Sequence, residues 1–152
     1  IYDEWGVALM QMGEIEKALE KFRTATDLFT NPDHKQYHTY NTHLGGAYLY
    51  LNKPEKAIEI LDDVFKPGRF RFDSYEARFI LAYAYQQVEN YQPAIKHAQK
   101  AVKIEPEDVT ARSLLMELYL KTNADKKAKQ QAKKILLIDP NNVRAEQVLG
   151  QS

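Results

Sequence analysis

The sequence predicts an all-α chain, an α-α superhelix (solenoid) of four stacked helix pairs with one further helix at the C-terminal end. Three observations predict it. First, four segments repeat one another: Glu16-Lys17-Ala18-Leu19-Glu20-Lys21-Phe22, Glu55-Lys56-Ala57-Ile58-Glu59-Ile60-Leu61, Gln92-Pro93-Ala94-Ile95-Lys96-His97-Ala98 and Lys126-Lys127-Ala128-Lys129-Gln130-Gln131-Ala132. Their leading alanines lie 39, 37 and 34 residues apart, and self-similarity at such a period marks a repeat architecture. Second, apolar residues recur at helical spacing within each copy, as in Leu81, Tyr85 and Val88, then Tyr91, Ile95, Ala98 and Val102. Third, only 6 Gly and 6 Pro punctuate 152 residues, so turns are few and elements long.

Each element follows from its own start and stop signals. Helices are expected near 2–12 and 15–29, separated at Gly13. Pro32 suits the first turn of a helix, and no breaker follows until Asn52-Lys53-Pro54, which predicts a helix over 33–51. The five residues by which the first interval exceeds 34 are thereby expected to lengthen this helix by more than a turn. A helix over 54–65 follows. The three extra residues of the second interval fall in Pro67-Gly68-Arg69-Phe70-Arg71-Phe72, a loop alternating bases with aromatics. It either projects as a functional loop or folds back over neighbouring helix ends. Asp73-Ser74-Tyr75-Glu76 places an N-cap residue three before a glutamate, a capping-box pattern opening a helix over 74–88. Helices over 91–104 and 125–137 stop before Pro106 and Pro140, with 107–121 between them. The segment 142–150 is a capping helix or the start of a truncated fifth repeat. The chain thus reads as one array over 1–152, with repeats about 1–31, 32–72, 73–106 and 107–140 and a C-terminal helix in 141–152. Ile1 is no start methionine and runs straight into periodic sequence, so a piece of a longer protein is expected.

Position by position the copies resemble the tetratricopeptide repeat, whose period of 34 equals the last interval. Tyr2-x-x-Trp5-Gly6-x-x-Leu9 stands where that family shows W-x2-L-G-x2-Y, followed by Gly13, Ala18, Phe22 and Ala25. The second copy has Leu44-Gly45-x-x-Tyr48, Asn52, Ala57 and Leu61; the third has Leu81-Ala82-x-x-Tyr85, Tyr91, Ala94, Ala98, Ala101 and Pro106. The fourth has Leu115-Met116-x-x-Tyr119, Ala128, Ala132 and Pro140, with Met116 replacing a small residue. Small residues at Gly6, Gly45, Ala82 and at the four leading alanines allow paired helices to approach closely.

The resemblance implies a concave groove lined by the first helix of each pair and a convex face made by the second. Projected onto this sequence, the groove positions are Asp3, Glu4, Val7 and Gln11; Thr39, Thr42, His43, Gly46 and Tyr50; Glu76, Phe79, Ile80, Tyr83 and Gln87; and Thr110, Ser113, Leu114, Glu117 and Lys121. Phe79, Tyr83 and Tyr50 are the expected anchors, since aromatics offer large contact area at small entropic cost. Gly46 either leaves a hollow in the groove wall or merely permits tight helix packing. Relatives that hold acidic chaperone tails resemble one another in a carboxylate clamp of lysines, asparagines and an arginine. The matching positions here are Asp3, Val7, His43, Glu76 and Ile80, or Thr42, Gly46, Ile80, Thr110 and Leu114. Neither set offers a cation to a carboxylate, so chaperone tails are not the expected partner.

No catalytic or cofactor site is legible. Cys is absent, and the three serines, Ser74, Ser113 and Ser152, lie outside any G-x-S-x-G elbow. There is no Gly-rich phosphate loop and no H-E-x-x-H. His34 and His38, four apart, share a helical face and His43 lies about a turn further on, which suggests a metal-binding accessory site as a minor alternative to a plain polar face. His97 reads as a surface residue, and Asp62, Asp63, Glu14 and Glu16 as solvated convex carboxylates. Lysines gather at Lys121, Lys126, Lys127, Lys129, Lys133 and Lys134, without the interleaved aromatics or arginines that nucleic-acid binding favours. With 21 bases against 21 acids the net charge is zero, which removes the general attraction to phosphate. The expected function is a non-catalytic scaffold that binds a peptide or helix of another protein, with hydrophobic anchors and basic flanks, within a larger assembly. The alternative is a structural, self-associating subunit of a bacterial envelope or secretion-type assembly. Compartment, cytoplasmic or envelope, is open.

Overall fold

The computed structural model describes residues 1–66 and 73–150. The Arg69–Phe72 loop, with its two readings, lies outside the described residues. All regular structure among the described residues is helical: α1 (Tyr2–Gln11), α2 (Ile15–Leu28), α3 (Lys35–Tyr50), α4 (Pro54–Val64), α5 (Tyr75–Gln87), α6 (Tyr91–Ile104), α7 (Val109–Lys121), α8 (Asp125–Ile138) and α9 (Val143–Gly150). Helices pair as α1 with α2, α3 with α4, α5 with α6 and α7 with α8, and α9 packs on α8. The first helices also touch one another in the series α1, α3, α5, α7, whereas the second helices have no comparable mutual contact among the described residues. This one-sided contact curves the stack, with α1, α3, α5 and α7 on its inner wall.

The same turn joins every pair. Gly13, Asn52, Glu89 and Asn123 each hold a left-handed backbone, with φ of 79°, 55°, 57° and 56°. The residue after each donates its N–H back to a carbonyl five residues earlier: Glu14 to Leu9, Lys53 to Tyr48 and Asn90 to Tyr85 at 2.9 Å, and Ala124 to Tyr119 at 2.8 Å. This is the Schellman arrangement, which satisfies the last carbonyls of a helix where its own ladder stops.

The leading alanines Ala18, Ala57, Ala94 and Ala128 are wholly buried. A Cβ on Gly6 would lie 2.5 Å from Cε1 of Phe22, and one on Gly45 would lie 2.9 Å from Leu61. Close helix approach therefore demands glycine at these two positions. Met116, the bulky substitute, is fully buried in the core that also holds Leu118, Ile135 and Val148.

The long first interval divides differently from the expectation. α3 has 16 residues against 13 in α5 and α7, so it gains three residues, less than one turn. The other two lie in the six-residue link between Leu28 and Lys35, two longer than the link between Ile104 and Val109. The capping box shifts as well. Ser74, not Asp73, caps α5 by accepting from the Ala77 N–H at 3.1 Å, and Asp73 instead accepts from Nε of Arg78.

Two carboxylates read as solvated, Asp62 and Asp63, prove to be tied between helices, and Asp108 is tied in the same way. Asp63 accepts from the Tyr37 hydroxyl at 2.7 Å, linking α4 to α3. Asp62 accepts from the Tyr85 hydroxyl, linking α4 to α5. Asp108, the N-cap of α7, accepts from the Tyr75 hydroxyl at 2.5 Å and from the Ala111 N–H at 2.7 Å. Burial, then the bond to a carboxylate, pushes the phenols of Tyr75 and Tyr85 above their ordinary range. Burial would raise Asp108 too, but its hydrogen bonds from Tyr75, Ala111 and Thr110 together outweigh it, and its carboxyl falls below the usual range.

His97 is buried, which corrects its reading as a surface residue. Its ring stacks on Tyr85 at 6.0 Å and lies 5.9 Å from Phe65, while Nη1 of the buried Arg78 meets its Nδ1 at 3.1 Å. Thirty-four residues on, the pattern recurs: the buried Arg112 donates to Gln131 Oε1 at 3.1 Å and, through Nε, to the Pro106 carbonyl at 2.7 Å. A buried guanidinium held by such polar and aromatic contacts is a joint between helices, not a binding group.

Candidate functional site

The inner wall carries a hollow of about 700 Å³, where α1, α3 and α5 meet over the α2 residue Phe22. Its walls are Val7, Met10 and Gln11 from α1, then Thr42, His43, Gly46, Leu49 and Tyr50 from α3, and Glu76, Phe79, Ile80 and Tyr83 from α5. Phe22 reaches it from a second helix because Gly6 has no side chain to stand in the way. Tyr50 (74% exposed) and Tyr83 (40%) are uncovered aromatics at its edge.

Of the projected groove residues, the hollow brings together Val7, Gln11, Thr42, His43, Gly46, Tyr50, Glu76, Phe79, Ile80 and Tyr83. Gly46 needs no tight packing: a Cβ there would meet only Cδ1 of Ile80, at 3.4 Å. Asp3 lies apart from the lining, buried, with its Oδ1 2.7 Å from Nδ1 of His43. Gln87 is exposed at the end of α5, outside the hollow. Ser113 is half-buried, and Leu114 is buried in the C-terminal core, which removes it from any groove surface. Glu117 accepts two hydrogen bonds from Arg144 of α9, at 2.6 and 3.0 Å. Two of the acids at projected groove positions are therefore spent, Asp3 on His43 and Glu117 on Arg144, and Glu76 is the carboxylate that lines the hollow.

Met10, Leu49 and Phe22 were not foreseen in the sequence. They form deep wall, and their helical register alone does not separate them from core. The signal for Phe22 was available, since a large residue on a second helix opposite a glycine on the first can pass beneath it.

The histidines serve local structure. His34 caps α3, its Nδ1 accepting from the Gln36 N–H at 3.3 Å. His38 is buried edge-on to Tyr37, which corrects the polar-face reading. His43 pairs with Asp3 and lies 5.5 Å from the Phe22 ring. Among the described residues no group of three His, Cys, Asp or Glu side chains is placed to hold a metal ion. The α8 lysines Lys126, Lys127, Lys133 and Lys134 are exposed on a second helix, on the side opposite the hollow. No helix among the described residues is long and apolar enough to cross a membrane.

Four helix pairs stacked through their first helices, with an open apolar hollow on the inner wall, define a helical-repeat solenoid. Residues 85–151 match the family model Tetratricopeptide repeat, and the same turn and buried alanine recur back to Gly13 and Ala18. No curated protein matches the chain significantly in sequence. The fold is similar to the crystal structure of MamA, at 24% identity and TM-score 0.82 over 95% of this chain and 80% of that one. It is also similar to YrrB, described as a TPR protein with an unusual peptide-binding site, at 19% identity and TM-score 0.81 over 95% and 70%. The third likeness is to the Cut9–Hcn1 hetero-tetramer of APC/C, at 20% identity and TM-score 0.80, covering 99% of this chain but 29% of that one. At these identities the likeness is one of fold.

Proposed function

We propose that the chain is a non-catalytic scaffold that binds a segment of another protein, extended or helical, along its inner groove, and that the hollow takes the segment's principal side chain. The observation carrying this reading is the hollow itself, about 700 Å³ with mostly apolar walls and uncovered Tyr50 and Tyr83 at its edge. Monomeric surfaces seldom leave such a concave apolar face open without a use. The peptide-binding site of YrrB and the paired chains of Cut9–Hcn1, both similar in fold, support a protein as the ligand. The absence of Lys and Arg from the lining speaks against acidic chaperone tails.

The test uses fluorescent decapeptides with a Leu-Leu centre and glutamine flanks, read by anisotropy. Gly46→Leu fills the hollow from a position where a side chain meets only the tip of Ile80. Binding to the parent protein with at least about tenfold weaker binding to Gly46→Leu is expected, corresponding to loss of one buried aliphatic group. Equal binding to both proteins, with circular dichroism showing both folded, contradicts the groove as the site.

A further inference from the structure

The hollow offers a carboxylate and a ring-nitrogen acceptor but no lysine or arginine, and this selects the partner. The Nδ1 of His43 lies 2.7 Å from Oδ1 of Asp3, whose side chain is 12% exposed. An ionised carboxylate only accepts, so the hydrogen of the neutral ring sits on Nδ1 and the lone pair on Nε2. His43 lines the hollow, and with Nδ1 committed to Asp3, Nε2 is the nitrogen left for a ligand. Glu76 lines the same hollow with an exposed carboxylate. The Thr42 hydroxyl has already given its hydrogen to the His38 carbonyl, at 2.7 Å. Around these acceptors stand Phe79, Tyr50 and Tyr83, whose ring faces attract cations, and no lysine or arginine lines the cavity.

We infer that the hollow is a receptor for a basic side chain, a lysine or arginine next to an apolar residue of the partner. This rests on the groove reading above. The aliphatic stem lies along Val7, Leu49 and Ile80, and the cationic head donates to Nε2 of His43 and to the Glu76 carboxylate.

The test compares three fluorescent decapeptides with the same Leu-Leu centre and lysine, glutamine or glutamate flanks, with folding verified by circular dichroism. The lysine peptide is expected to bind about tenfold or more tightly than the glutamate peptide. A nitrogen-15 NMR spectrum of the imidazole needs no ligand and is expected to show hydrogen on Nδ1 of His43 in the neutral ring. If the glutamine peptide binds but lysine and glutamate flanks are equivalent, or the hydrogen sits on Nε2, this inference falls while the groove stands. If none of the peptides binds, both fall.

Discussion

A Cβ on Gly46 would lie 3.4 Å from Cδ1 of Ile80 across the groove, in ordinary contact, whereas one on Gly6 would lie 2.5 Å from Cε1 of Phe22, in a clash. The two glycines stand on equivalent inner-wall helices and do different work. One leaves open space on the inner wall, and the other leaves space for a neighbouring helix.

For Gly46 the consequence is a stabilising mutation. Alanine removes the entropic cost of glycine in a helix interior and meets only ordinary van der Waals contact. Gly46→Ala should raise stability by about 0.5 to 1 kcal/mol, as read from the urea midpoint. A destabilised variant would mean that the groove wall is packed at this position.

Gly6→Ala should do the reverse. The new methyl would press on Cε1 and Cδ1 of Phe22, at 2.5 and 2.7 Å, and that ring is 1% exposed and cannot swing away. A net loss of about 1 to 2 kcal/mol is expected, overpacking outweighing the gain in helix propensity. Thermal unfolding of the variant beside Gly46→Ala reads the contrast directly.

Glu89 holds the left-handed backbone that Gly13, Asn52 and Asn123 hold at the other three turns. A β-carbon in that region clashes with the following carbonyl, and asparagine or glycine tolerates it better. Glu89→Gly should therefore stabilise the array by about 1 kcal/mol, and Glu89→Asn by somewhat less. Denaturant titration checks both, and a loss of stability would show that the Glu89 side chain contributes more than its backbone costs.

Burial, aided by the neighbouring charges of Arg78, Lys96 and Lys100 and opposed by Asp73, lowers the His97 pKa to about 4. The unfolded ring titrates near 6.5, so below that pH the unfolded chain takes up a proton that the folded chain refuses. The stabilisation from neutral His97 is complete above about pH 6.5 and is lost progressively as pH falls toward 4. Its full extent is about 3 kcal/mol. His97→Gln, which copies the Arg112–Gln131 pair found one repeat later, should flatten the dependence of stability on pH in that interval. An unchanged slope would move the acid sensitivity elsewhere.

The fold was legible because its signals are local and repeated. Ala18, Ala57, Ala94 and Ala128 announce the period, and Pro106 and Pro140 the stops. The groove wall was legible through the family resemblance, which put Val7, His43, Gly46, Glu76, Ile80 and Tyr83 on one surface. What escaped depends on pairing between distant residues. His97 looks like a surface residue until Arg78 and Tyr85 close over it, and Asp62 looks solvated until Tyr85 reaches it. Asp3 and Glu117 were read as groove charges because helical register gives the direction of a side chain, while His43 and Arg144, 40 and 27 residues away, decide whether its charge is spent.

The measurement that tests the central claim most directly is an amide NMR titration of the nitrogen-15-labelled protein with the Leu-Leu peptide. Shifts are predicted to concentrate at Val7, His43, Gly46, Ile80 and Tyr83, with the lysine face of α8 unmoved. Shifts gathered on α8, or at the outer surfaces of α2 and α4 with the hollow silent, would contradict the account.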